Sequence, residues 1–267
     1  MKKIFLPIIV LLAFASCRKV IDVELNSVAP QYVIEGALME GTQDFKVRIT
    51  KTGDYFNLNK PTPITNAIVG LKKGNGAAIS LKHESEGVYK TLRYTAVSNA
   101  EYTLTVTIDG KAYEATSFMP KVVPLDNLDS EILPEQNRDT DLKADTFQIN
   151  CYFKDPAKEV NFYRVRSVVN GVAKDKGADL LVVEDRLSDG KDIVLPIYTS
   201  VFKLNDTVTV ELLSMDKKMF DYFSTLSNLI GNNGDGAAPA NPLTNWSGGA
   251  LGYFGAFSSS KKTIVVK

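Results

Sequence analysis

The stretch EYTLTVTIDGKAYEATSF, residues 101–118, carries the pattern that decides the fold. Tyr102, Leu104, Val106 and Ile108 alternate with threonines, so an extended segment here has one apolar and one polar face. Asp109-Gly110 follows as a two-residue hairpin signal, because glycine tolerates the positive φ of a type I′ turn. The spacing predicts strand, tight turn, strand.

The same period extends outward on both sides. In DFKVRIT, Phe45, Val47 and Ile49 alternate with Lys46, Arg48 and Thr50, and further strand-like runs are QYVIEGAL, NAIVGLKK, AAISLKH and GVYKTLRY. Short, closely spaced strands joined by turn residues predict an antiparallel sandwich over residues 17–118. Strands resume with DTFQINCYF, VNFYRVRSVV, ADLLVVED, KDIVLPIY and DTVTVELL. The fold class is therefore mainly β, with two β-sandwich-like domains, the second spanning 146–267. A chain of this length suits two domains of about 100–150 residues each.

Between them lies MPKVVPLDNLDSEILPEQNRDTDLKAD, residues 119–145, where three prolines and a run of acids break the strand rhythm. Oxygen ligands of this kind suit calcium, but no D-x-D-x-D-G spacing is present, so the segment reads as a solvated linker. One helix is expected over 214–230. Met215, Met219, Phe223, Leu226 and Ile230 recur at helical spacing, with Phe220 widening the stripe, Ser214 as cap and Gly231 as stop. Its polar face balances Asp216 and Asp221 against Lys217 and Lys218, which favours packing on a sheet over lying in a lipid interface.

The chain begins MKKIFLPIIVLLAFASC. Lys2 and Lys3 precede an apolar segment from Ile4 to Ala15, too short for the roughly 20 residues a membrane span needs, and small residues lead into Cys17. This resembles the lipobox of bacterial lipoproteins, with Phe14 in place of the usual Leu. Residues 1–16 read as a signal peptide and Cys17 as the lipidated first residue of the mature chain. Its loss leaves 29 basic and 31 acidic residues, a formal charge of −2, with no basic excess for nucleic acid. The one other cysteine, Cys151, alternates with Phe147, Ile149 and Phe153 and is expected to be a buried thiol.

The segment GNNGDGAAPANPLTNWSGG, residues 231–249, is long for a loop of a compact domain and holds the only tryptophan. Two readings stay open. Trp246 can tuck the loop onto a domain, as its average burial favours, or Trp246, with Tyr253 and Phe254 behind it, can form a contact surface for a partner or ligand.

Several of these runs together resemble the Bacteroidetes outer-membrane lipoproteins grouped as domain of unknown function 4249. The resemblance rests on YVIEGAL after the lipid-bearing Cys, NAIVGL, EGVYKT, YTLTV, TSFMP, DYFSTLSN and above all NPLTNWSGGALGYFGAFS, and covers essentially the whole mature chain. It implies an N-terminal immunoglobulin-like or transthyretin-like sandwich followed by a second β-rich domain. It also implies an accessory lipoprotein for nutrient uptake, because genes of the family stand beside those of TonB-dependent transporters. The expected location is the outer membrane, held by the lipid anchor, with its face left open by Arg18 and Lys19 directly after Cys17.

Enzymatic signatures are sparse. His83 is the sole histidine, there is no G-x-S-x-G elbow, no H-E-x-x-H, no cysteine pair at ligand spacing and no phosphate-cradling loop. No catalytic residue, metal or cofactor is expected on this basis. A binding lipoprotein working with a transporter is the leading reading. The alternatives are a surface hydrolase of glycans or peptides using carboxylates that leave no sequence signature, and a structural envelope or adhesion module.

Overall fold

A computed structural model of the chain describes residues 30–53, 61–135, 146–174, 177–186, 188–231 and 241–267. The signal segment and Cys17 lie outside them. Among the described residues no helix is long and apolar enough to cross a membrane.

Over the described residues the protein is mainly β, with sandwich-like sheets and one α-helix. The first half contributes β1 (Tyr32–Met39), β2 (Gly41–Lys51), β3 (Thr62–Pro63), β4 (Ile68–Lys73), β5 (Ile79–Ser85), β6 (Val88–Ala96), β7 (Ala100–Ile108) and β8 (Lys111–Met119). The 101–118 hairpin forms as its sequence predicts. Ile108 pairs with Lys111, and Asp109 and Gly110 both take positive φ, 51° and 81°, as a type I′ turn requires. Tyr102, Leu104, Val106 and Ile108 are buried with Phe45, Val47 and Ile49 in one core.

The second half contributes β9 (Leu125–Ile132), β10 (Thr146–Lys154), β11 (Phe162–Val169), β12 (Val172–Lys174), β13 (Leu181–Glu184), β14 (Asp192–Pro196), β15 (Phe202–Lys203), β16 (Thr207–Met215), α1 (Lys217–Gly231) and β17 (Leu251–Val265). A small sheet ordered β14-β10-β15, with β9 also on β10, faces the sheet built on β11 and β16 across a second core. The segment expected to be a linker is therefore partly structure. β9 pairs along β10, and Val123, Leu125 and Leu128 enter the second core.

The larger departure is β17. Its first half pairs in parallel with β1, from Val33 opposite Leu251 to Met39 opposite Phe257. Its second half pairs antiparallel with β16, from Ser258 opposite Ser214 to Val265 opposite Thr207. One continuous strand thus completes both sheets, and the hydrogen-bonded path runs β12-β11-β16-β17-β1-β2-β6-β5-β4-β7-β8. A division at residue 118 or 146 leaves the C-terminal half holding part of the N-terminal core, namely Trp246, Ala250, Phe254 and Ala256.

The helix starts three residues later than expected, and its cap is Asp216 in place of Ser214. Ser214 is the penultimate residue of β16 and is buried there. Asp216 Oδ1 accepts the Met219 amide at 2.9 Å, which satisfies one of the donors exposed at a helix start. Its Oδ2 accepts from Ser117 Oγ and the Phe118 amide at 2.8 and 2.7 Å, tying the helix to β8. The buried stripe is Met219, Tyr222 and Phe223, with Phe220 and Leu226 half-buried beside them.

Cys151 lies on β10, fully buried in the second core, as the alternation predicts. Burial, with Asp129 nearby, pushes its thiol up to about 12, so the reactive thiolate is absent at neutral pH. Folded protein is expected to leave Cys151 unmodified by a thiol-specific disulfide reagent, with labelling appearing only along the unfolding transition. Rapid labelling of the native state shows the burial to be wrong.

Candidate functional site

The motif NPLTNWSGGALGYFGAFS turns out to close the first sandwich. Trp246 is 5% exposed and its indole N–H donates to the Ile34 carbonyl of β1 at 3.0 Å. Asn245 bridges β8 and β17: its amide donates to the Thr116 and Phe254 carbonyls at 3.2 and 2.7 Å, and its Oδ1 accepts the Phe254 amide at 3.0 Å. Ser117 Oγ accepts the Ala256 amide at 3.0 Å, so β8 and β17 are joined through side chains. Two further residues anchor the turn, Ser247 Oγ accepting the Glu114 amide and the Gly248 carbonyl accepting Lys111 Nζ. Gly252 has φ +87°, and a Cβ there would stand 2.3 Å from the Ile34 carbonyl oxygen, so only glycine lets β17 approach β1 here.

Two of the three residues of the contact-surface reading lie inside the first sandwich. Trp246 and Phe254 are core residues, because the indole and the ring fill the gap between the strands of the first sandwich. Tyr253, its side chain on the opposite face of β17 from Phe254, is half-buried and lines a cleft.

That cleft, about 430 Å³, opens where the two sandwiches meet. β1 supplies Glu35, β11 supplies Arg164 and Arg166, α1 supplies Tyr222 and Phe223, and β17 supplies Tyr253. The Arg164 guanidinium lies over the Phe223 ring, 4.3 Å from its centroid, a contact worth about 0.5–2 kcal/mol. Tyr222 and Tyr253 pack at a ring separation of 4.8 Å. Arg166 is paired with the nearly buried Glu211 at 3.4 Å. The Tyr222 hydroxyl is pushed well above its ordinary value, by burial first and then by Tyr253 and Glu35, with Arg164 opposing. The cleft is therefore lined by two guanidinium groups, one carboxylate and a wall of packed aromatic rings. Its volume falls within the roughly 300–1,000 Å³ of small-ligand sites, which favour domain junctions.

His83 sits exposed on β5, its ring 5.2 Å from that of Tyr89. Away from the cleft, Asp155, Asp185 and Asp189 bring one carboxylate oxygen each within 4.8 Å of the others, a group able to hold a metal ion. Sequence reading missed both places. The cleft draws its walls from several strands and the helix, and Asp155 is distant in the chain from the other two acids.

No curated protein matches the chain. Among solved structures, a segment of two fibronectin type III domains from chicken tenascin is similar at 14% identity and a TM-score of 0.23, covering 70% of this chain and 91% of that one. The Yersinia pseudotuberculosis adhesin InvE is similar at 15% identity and a TM-score of 0.22, covering 69% of this chain and 56% of the adhesin. Residues 18–263, which include both sandwiches, the helix and the closing motif, match the family described as Domain of unknown function (DUF4249). The chain belongs to the DUF4249 family.

Proposed function

We propose that this protein is a lipid-anchored binding lipoprotein of the outer membrane that holds a ligand in the junction cleft and works with a TonB-dependent transporter. The observation that carries the binding reading is the cleft itself, a concave site between two sandwiches with a charged and aromatic lining. Closely packed aromatic rings and a guanidinium over Phe223 suit a ligand with a flat or apolar body and an anionic group, since both features give contact area without chemistry. The anchor reading is supported by the Ala15-Ser16-Cys17 junction after a short apolar segment. The transporter partnership is supported by the gene neighbourhoods that the family resemblance implies. The same reading makes the protein a non-catalytic one.

Cells fed an alkyne fatty acid are expected to label the wild type and to spare Cys17→Ser, which should leave the membrane fraction. Wild-type protein extracted in mild detergent should retain an outer-membrane transporter, and Arg164→Ala, while still melting cooperatively, should lose any small molecule that native mass spectrometry finds on the wild type. Equal label on both proteins overturns the anchor. Extraction without a transporter overturns the partnership, and a retained small molecule in Arg164→Ala overturns the cleft as its site.

A further inference from the structure

At one end of the second sandwich two loops meet. Asp155 directly follows β10, Asp185 directly follows β13, and Asp189 lies in the turn before β14. The loops are held together by hydrogen bonds from backbone amides: that of Asp155 donates to the Lys191 carbonyl at 3.0 Å, that of Gly190 to Asp155 Oδ2 at 3.0 Å, and that of Lys158 to Asp189 Oδ1 at 2.7 Å. The approach is close enough to need glycine at 190. Its φ is +70°, and a Cβ there would lie 2.7 Å from that of Ala157.

The outcome is an acidic centre with a dry floor. Asp155 is 1% exposed and Asp185 2% exposed, while Asp189 is exposed at the rim. Asp155 is fixed from beneath by the Tyr163 hydroxyl, itself in the second core. Asp185 differs, since its Oδ2 is buried and receives no hydrogen bond. An oxygen of its carboxyl also stands within 4.8 Å of one from Asp155 and one from Asp189. A buried carboxylate oxygen left without a hydrogen-bond partner is costly, and a cation held among the three acids would offset that cost.

We propose that Asp155, Asp185 and Asp189 bind a hard divalent cation, Ca²⁺ by size, that clamps the loop after β10 to the loop before β14. Calcium takes oxygen ligands at about 2.3–2.6 Å, so two ligands across one ion stand about 4.6–5.2 Å apart. The three oxygens, all within 4.8 Å, fit inside one such shell. Asp185 and Asp189 also line an open cleft, which gives an ion a way in and room for water as the remaining ligands.

The test uses the full mature protein. Terbium, a luminescent stand-in for calcium, is excited through tyrosine, and Tyr163 is hydrogen-bonded to one ligand. Saturable terbium emission is expected, displaced by Ca²⁺ and lost in both Asp185→Asn and Asp189→Asn. At a hundredfold excess over Kd, Ca²⁺ should raise the wild-type melting temperature by roughly 5–10 °C relative to chelator and leave both variants unmoved. If Asp185→Asn fails to fold, Asp189→Asn, altered only at the exposed ligand, carries the comparison. The proposal is overturned if the wild type melts at one temperature with chelator and with millimolar Ca²⁺. It is equally overturned if Asp189→Asn keeps the full calcium response.

Discussion

Trp246→Ala is expected to destabilise the protein by about 3–5 kcal/mol, the usual cost of truncating a buried tryptophan, and to lower its melting temperature by roughly 10 °C. Trp246 is 5% exposed among Ile34, Tyr113 and the other residues of the first core, so its removal opens a cavity between strands that backbone hydrogen bonds hold apart. It also takes away the indole donor of the Ile34 carbonyl. Trp246→Phe separates the two losses. It keeps most of the ring volume and should cost about 1–3 kcal/mol, the range for leaving a buried acceptor without its donor. Thermal unfolding followed by circular dichroism measures both. A melting temperature for Trp246→Ala within about 2 °C of the wild type excludes the core role and returns this residue to the surface reading.

The reach of sequence reasoning follows from how local each signal is. β2 and β7 were legible because each buries a single face, so that Phe45, Val47 and Ile49, or Tyr102, Leu104 and Val106, fall two apart. The Asp109-Gly110 turn was legible because its chemistry is complete within two residues. β9 was hidden. Its inward residues Leu125 and Leu128 fall three apart, since the register with β10 shifts between Tyr152 and Phe153, and its outward face is acidic because it meets water. β17 was hidden for a different reason: Phe254 and Ala256 face the first core, Phe257 faces the helix, and the later residues lie beside β16. No single alternation can run through a strand that serves several neighbours, and Gly252 and Gly255 read locally as breakers. Family resemblance marked this motif as distinctive without revealing its role. The cleft and the three aspartates needed the fold itself, because the residues concerned converge from separate elements.

Residues 17–118, read from sequence as a self-contained domain, are expected to fail to fold when produced alone. The fragment lacks Trp246, Ala250, Phe254 and Ala256, all 5% exposed or less in the first core. At about 1.5–3 kcal/mol for burying a large apolar side chain, the missing tryptophan and phenylalanine alone approach the lower end of a whole protein's stability of about 5–15 kcal/mol. The loss is also one of hydrogen bonding. Without β17, the side of β1 that pairs from Val33 to Met39 becomes an unprotected edge, an invitation to aggregation. Adding residues 241–257 as a separate peptide should rescue the fragment, because strand addition restores the parallel ladder, the tryptophan and the Asn245 bridge together. The same topology makes folding of the first sandwich depend on pairing Val33 with Leu251, a contact across most of the chain, so it is expected to be slow and to follow synthesis of the C-terminus. Amide dispersion and a cooperative melt, with and without the peptide, decide the matter: a fragment that melts cooperatively by itself shows β17 to be an addition to a complete sandwich, whereas rescue by the peptide shows it to be a missing part of the core.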